Sequence, residues 1–195
     1  MGLPVEQLIV ATNRNDILSR FFNSGEYRKS GVDPTISPSM DIQVSSNFER
    51  FLADLYGRDG AEVAELMEKL DQDGGFSVNM SRLNESIFAA GRCDEEDTFA
   101  TIRETLAHSA KLVDPHTAVG LFVGEKCRKN EKTPLVTLST AHPAKFPEAV
   151  EKATGERPAL PKHMADLFGR EERLVSLPNE VDTVKSFIKD HARIL

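Results

Sequence analysis

Five histidines, two cysteines and one run of acids and glycines are the groups in this sequence whose types invite chemistry, and their spacing decides how much of it is possible. His108, His116, His142, His163 and His191 include no pair at i, i+4 and no metal-ligand spacing, so no metal site is predicted. His108 and His191 fall near predicted helix C-termini, where an imidazole is a favourable partner for the helix dipole. His116 and His142 differ, because each stands beside a proline where a loop meets an element, in Asp114-Pro115-His116-Thr117 and Thr140-Ala141-His142-Pro143. Asp71-Gln72-Asp73-Gly74-Gly75 opens like a calcium loop, but its twelfth position is Arg82 rather than a bidentate glutamate, and a glycine-capped helix end accounts for it. Cys93 and Cys127 lie outside any C-x-x-C, as unpaired thiols of a reducing compartment would. The signatures G-x-G-x-x-G, G-x-x-x-x-G-K-[ST], H-E-x-x-H and G-x-S-x-G are absent, which removes the common nucleotide, zinc and hydrolase classes.

The elements that must position these groups are legible in the apolar periodicity. Glu6 to Thr12 is a nearly continuous apolar run that predicts a buried strand feeding a capped helix from Asp16 to Phe22. From Asn23 to about Val44 the chain has no period and carries Gly25, Gly31, Pro34 and Pro38; so long a loop is functional or disordered. Phe48, Phe51, Leu52 and Leu55 share one helical face before Gly57, and Val63, Leu66, Met67 and Leu70 share another from Ala61 to Leu70. Phe76 to Val78 suggests a short strand. Asp94 is placed to cap a helix carrying Phe99, Ile102 and Leu106, and Asp114-Pro115 opens a further helix with proline at its first position. Thr133 to Ser139 predicts a second strand, Arg173 to Leu177 a weaker third, and Asn179 to Ala192 a terminal helix. Helices alternating with short apolar strands over long connections give an α/β layer with parallel strands. Three strands make a thin sheet, and the first would sit well inside it, so the chain looks like part of a larger sheet.

Ligands of open α/β sheets bind beyond the carboxyl ends of the strands, which puts Thr140 at the expected ligand position. The alternative is a turn whose hydroxyl closes a local hydrogen bond. Lys145 could meet an anion there or be a solvated surface lysine. Composition bounds the partners: 24 basic against 31 acidic residues give a net charge of -7, which argues against nucleic acid. Apolar runs such as Leu8-Ile9-Val10-Ala11 fall far short of the roughly 20 residues that span a bilayer, so no membrane partner is predicted. The first residues carry no basic or apolar leader pattern, and Glu6 stands where myristoylation wants Ser or Thr.

Four strings in succession are more specific than any of these patterns: Asn13 to Asp16, Ile36-Ser-Pro-Ser-Met-Asp-Ile-Gln-Val-Ser-Ser-Asn-Phe-Glu-Arg50, Leu112-Val-Asp-Pro-His-Thr-Ala-Val-Gly120 and Ser139-Thr-Ala-His-Pro-Ala-Lys-Phe146. With them the sequence resembles threonine synthase from Leu3 to the C-terminus. The resemblance implies a pyridoxal-phosphate (PLP) enzyme of the tryptophan synthase β-like fold (fold type II), acting on O-phospho-L-homoserine and water in cytoplasmic threonine biosynthesis, with the cofactor as electron sink for γ-elimination and hydration of the β-carbon. It also implies that the hydroxyl of Thr140 faces the pyridine nitrogen, with His142 and Lys145 as substrate-side or loop-shaping groups. Ser46, Asn47 and Arg50 border the site on this reading, or are explained by packing and capping.

The family's Schiff-base lysine and glycine-rich phosphate loop find no match here. Residues 1–195 therefore correspond to the C-terminal part of the catalytic domain, and alone are expected to be inactive. The cut sheet leaves an exposed edge through which the chain could self-associate. Two other readings stay open: a non-catalytic interaction or regulatory module on the same fold, and a PLP enzyme of this fold acting on a different amino acid.

Overall fold

The first strand of the expected layer is β1, Leu8–Thr12, in a computed structural model that describes residues 2–192. Helix α1, Ile17–Ser24, follows and stops at Gly25, whose φ is 77°. A Cβ on Gly25 would stand 2.5 Å from the Val78 carbonyl oxygen, so the left-handed turn and the close approach both require glycine. The strand β4, Phe88–Arg92, lies parallel to β1, in register from Leu8 opposite Phe88 to Thr12 opposite Arg92. A second, antiparallel pair joins β2, Glu26–Arg28, to β3, Gly75–Ser77. The α/β class with short parallel strands and flanking helices therefore holds for β1 and β4, and the antiparallel β2–β3 pair adds to it.

After α1, the helices of the first unit, residues 2–159, are α2, Phe48–Leu55; α3, Gly60–Gln72; α4, Met80–Asn84; α5, Glu95–Ser109; α6, Pro115–Cys127; and α7, Pro147–Thr154. Of these, α2, α3, α5 and α6 fall close to the predicted spans, while α4 and α7 match no predicted helix. Asp59 caps α3 by accepting from the amides of Ala61 and Glu62. Asp16 and Asp94 stand at helix starts as expected but make no capping bond; Asp16 meets Arg20 and Arg92, and Asp94 meets Arg92. The apolar faces of α1, α2 and α3 converge on an aromatic core in which Phe21, Tyr27, Phe48 and Phe76 lie edge-on or stacked. A smaller core joins β1 and β4 to α6 through Val119, Val123 and Cys93. Because α6 is apolar on most faces, it is the buried helix of this unit.

Two predicted strands are absent. Thr133 to Ser139 forms no ladder and instead lies along α6. A Cβ on Gly124 would touch the Leu135 side chain at 3.1 Å, and one on Gly120 would meet the Thr137 methyl at 3.0 Å. Four helical residues rise about 6 Å and two extended residues span about 6.6 Å, so this match shows an extended backbone. Exposure alternates in step, with Val136 81% and Leu138 77% exposed. The segment has the conformation and alternation of a strand and lacks only a neighbouring one. In the second unit, residues 160–192, Arg173 to Leu177 is likewise unpaired, with Leu174 and Val175 exposed. That unit holds two short 3-10 turns, Lys162–Met164 and Leu167–Gly169, and helix α8, Val181–His191.

Candidate functional site

Parallel pairing brings the carboxyl ends of β1 and β4 to the same side, and the buried polar residues gather there. Asn13 and Asn15, just past β1, are buried. Their amide nitrogens donate to Asp41 Oδ1 at 2.7 and 2.9 Å, and Thr35 adds its hydroxyl at 2.7 Å to Oδ1 and its backbone N–H at 2.8 Å to Oδ2. Asn13 also donates to the Ser37 hydroxyl at 3.0 Å. The part of the long aperiodic stretch from Asp33 to Asp41 is thus a shaped loop anchored to the strand end by side chains, whereas Glu26–Arg28 within that stretch is β2 and pairs with β3.

The N-terminus of α6 supplies the second cluster. Asp114, fully buried, accepts the His116 backbone N–H at 2.9 Å and the His116 Nδ1–H at 2.8 Å on Oδ1, and the Thr117 hydroxyl on Oδ2. Burial pushes the Asp114 carboxyl up, but the His116 ring, the Thr117 hydroxyl and the His116 amide outweigh it and hold the group below its ordinary value. On the other side of the ring, His116 Nε2 accepts the Ser39 backbone N–H at 3.2 Å. Nε2 therefore carries a lone pair and the ring proton sits on Nδ1.

Thr140 is at the far end of the extended segment on α6. Its backbone N–H donates to Thr117 Oγ1 over a long 3.4 Å, its side chain is exposed, and among the described residues its hydroxyl has no hydrogen-bond partner. No local turn bond occupies that hydroxyl. His142 Nδ1 accepts the Ala144 amide at 3.2 Å, which caps the 3-10 turn Pro143–Lys145. Lys145 is exposed, with its Nζ 5.6 Å from the Phe146 ring centre, and that ring in turn packs on His116 at 4.6 Å. Thr140, His142 and Lys145 thus share one loop, tied to the α6 cluster at both ends. Asn47 stands at the start of α2 without a side-chain cap, Arg50 is exposed on that helix, and no hydrogen bond or ion pair among the described residues joins Ser46, Asn47 or Arg50 to this loop. His108 and His191 bond the carbonyls of Glu104 and Phe187 at 2.8 Å, as helix-end partners.

Thr117 and Ser39 escaped the sequence reading. The string Asp-Pro-His-Thr carried the signal for Thr117, since an N-cap carboxylate followed at the second and third positions by two side-chain donors can be bonded on both oxygens. A depression of about 90 Å³ opens at the end of β1 beside Ser39 and Met40. Ligand pockets run to roughly 300–1,000 Å³, so these residues make one wall of such a pocket at most.

Residues 117–188 match the family model described as threonine synthase, C-terminal. Over 194 residues the chain is 54% identical to the threonine synthase of Pseudomonas aeruginosa, a match that covers 98% of this chain and 41% of that protein. Over nearly its whole length the chain is similar to the C-terminal portion of threonine synthases. It is 43% identical to the threonine synthase of Corynebacterium glutamicum over 198 residues, which covers 97% of this chain and 41% of that one. Among solved structures it resembles the PLP-bound threonine synthase of Brucella melitensis with a TM-score of 0.90 and 48% identity, over all of this chain and 42% of that one. The threonine synthase of yeast gives 0.83 and 34%, over 97% of this chain and 43% of that chain. The α/β architecture described above is that of these threonine synthases. The chain spans about two fifths of the length of the curated relatives it matches.

Proposed function

We propose that this chain forms one wall of the active site of a threonine synthase, which converts O-phospho-L-homoserine and water to L-threonine and phosphate in the cytoplasm. The observation that carries this reading is the exposed, unpartnered hydroxyl of Thr140, at the loop end that the resemblance assigns to the cofactor, in a chain 54% identical to a threonine synthase. That donor fits pyridoxal phosphate: a neutral hydroxyl can donate to an unprotonated ring nitrogen without forcing a proton onto it. When bound, the cofactor supplies the electron sink for the carbanions of elimination and hydration.

The residues of this chain orient and exclude. Thr140 Oγ1 would hold the ring nitrogen by donating a hydrogen bond to it, and His142 and Lys145, both exposed, would face the substrate side of the same loop. The lysine that carries the cofactor and the amides that hold its phosphate belong to the rest of the protein, outside these residues. Comparing O-phosphohomoserine with O-phosphoserine as substrates of the longest product of the gene tests the assignment. Turnover of the first alone is expected; preference for the second would move the chain to another reaction of the same fold.

A further inference from the structure

Asp114 and His116 are buried, ionisable, and unused by the function proposed above. Capping α6 needs one carboxylate oxygen of Asp114, accepting one amide. Here the second oxygen is also engaged, by Thr117, and the capped residue's own ring returns to the first. Two polar atoms of the trio then reach beyond the helix. His116 Nε2 receives Ser39 N–H from the loop that Asn13 anchors through Ser37, and Thr117 Oγ1 receives Thr140 N–H. Hydrogen bonds, joined by the backbone from Ser37 to Ser39, thus link the end of β1 through the loop to α6 and out to Thr140. A carboxylate held on both oxygens by fixed donors leaves each of those donors one orientation, so Thr117 can present only its lone pairs to Thr140.

We propose that Asp114, His116 and Thr117 are positioning residues, which fix the Thr140 backbone against the end of β1 and so aim its hydroxyl at the cofactor nitrogen. The aim at the nitrogen rests on the reading of Thr140 given above; the fixing of the backbone does not. Leu138 and Ser139, immediately before Thr140, donate no backbone hydrogen bond among the described residues. Amide hydrogen exchange, followed residue by residue by NMR in the 195-residue chain, should therefore show Thr140 protected at least about tenfold over Leu138 and Ser139. Equal exchange at the three overturns the proposal without any variant.

Thr117→Val keeps the shape of the side chain and removes its hydroxyl. It should erase the protection at Thr140 while the amides of α2 and α3 exchange as before, and Thr117→Ser should restore it. In the longest product of the gene, loaded with pyridoxal phosphate, Thr117→Val should shift the cofactor absorption in the same direction as Thr140→Ala and by less, again with rescue by Thr117→Ser. A shift with Thr140→Ala but none with Thr117→Val, although Thr140 exchange has risen, overturns the aiming role. No shift with either variant, with the exchange result as expected, sinks the reading of Thr140 and leaves the backbone latch standing. If Thr117→Val does not fold, the comparison of Thr140 with its two neighbours in the unaltered chain decides alone.

Discussion

Asp114 concentrates the energetics of the site in one side chain. It is 0% exposed, and three donors compensate the charge that burial would otherwise expel. Asn at this position keeps one acceptor and turns an NH₂ toward a donor, so Asp114→Asn should cost about 2 kcal/mol or more, measured by urea unfolding. The sign of its pH dependence follows from its lowered native pKa. The contribution is complete above the unfolded carboxyl value of about 3.9 and is lost as pH falls through the lower native value. The gap in stability between the parent and Asp114→Asn should thus be constant near neutrality and narrow below about pH 4; a gap that widens on acidification would contradict the assignment. His116 and His142 were visible in the sequence because each adjoins a proline at an element boundary. Thr117 was not, because its partner lies on its own helix cap and its beneficiary, Thr140, lies 23 residues away.

Among the elements, the long helices α2, α3, α5 and α6 were legible because an apolar stripe or a cap residue marks each. Strand β4 was not, for a physical reason. Its sequence Phe-Ala-Ala-Gly-Arg lacks β-branched residues because α6 presses on it: a Cβ on Gly91 would stand 2.8 Å from Val123 Cγ1 and 2.9 Å from Cys127 Sγ. The closeness that fixes the strand also erases its propensity signal. Gly91→Val should overpack this seam and destabilise by about 1–3 kcal/mol, read as a lowered thermal midpoint; an unchanged midpoint would mean that α6 and β4 are not in contact. The reverse error occurred at Thr133 to Ser139, where β-branched composition is strand-like and the backbone extended, but pairing is a property of a neighbour and no periodicity can supply one. Helix α7 had legible ends, Pro147 at its first turn and Gly155 at its close, but only a short apolar face between them.

At the scale of the molecule, the resemblance was legible over the whole chain, while the Schiff-base lysine and phosphate loop that it implies find no match in these residues. A two-stranded parallel sheet leaves a free edge on each strand, and Val136 and Leu138 add exposed apolar surface. Unpaired edges template pairing with other chains, so size-exclusion chromatography of the 195 residues should show association that grows with concentration, and a clean monomer at high concentration would count against it. The central claim is that these residues are part of a threonine synthase whose cofactor lysine lies elsewhere. Phosphate release from O-phosphohomoserine with pyridoxal phosphate, compared between the 195-residue chain and the longest product of the gene, tests it most directly. Release by the longer protein and none by the shorter is the expected result; release by neither, or by the 195 residues alone, would contradict it.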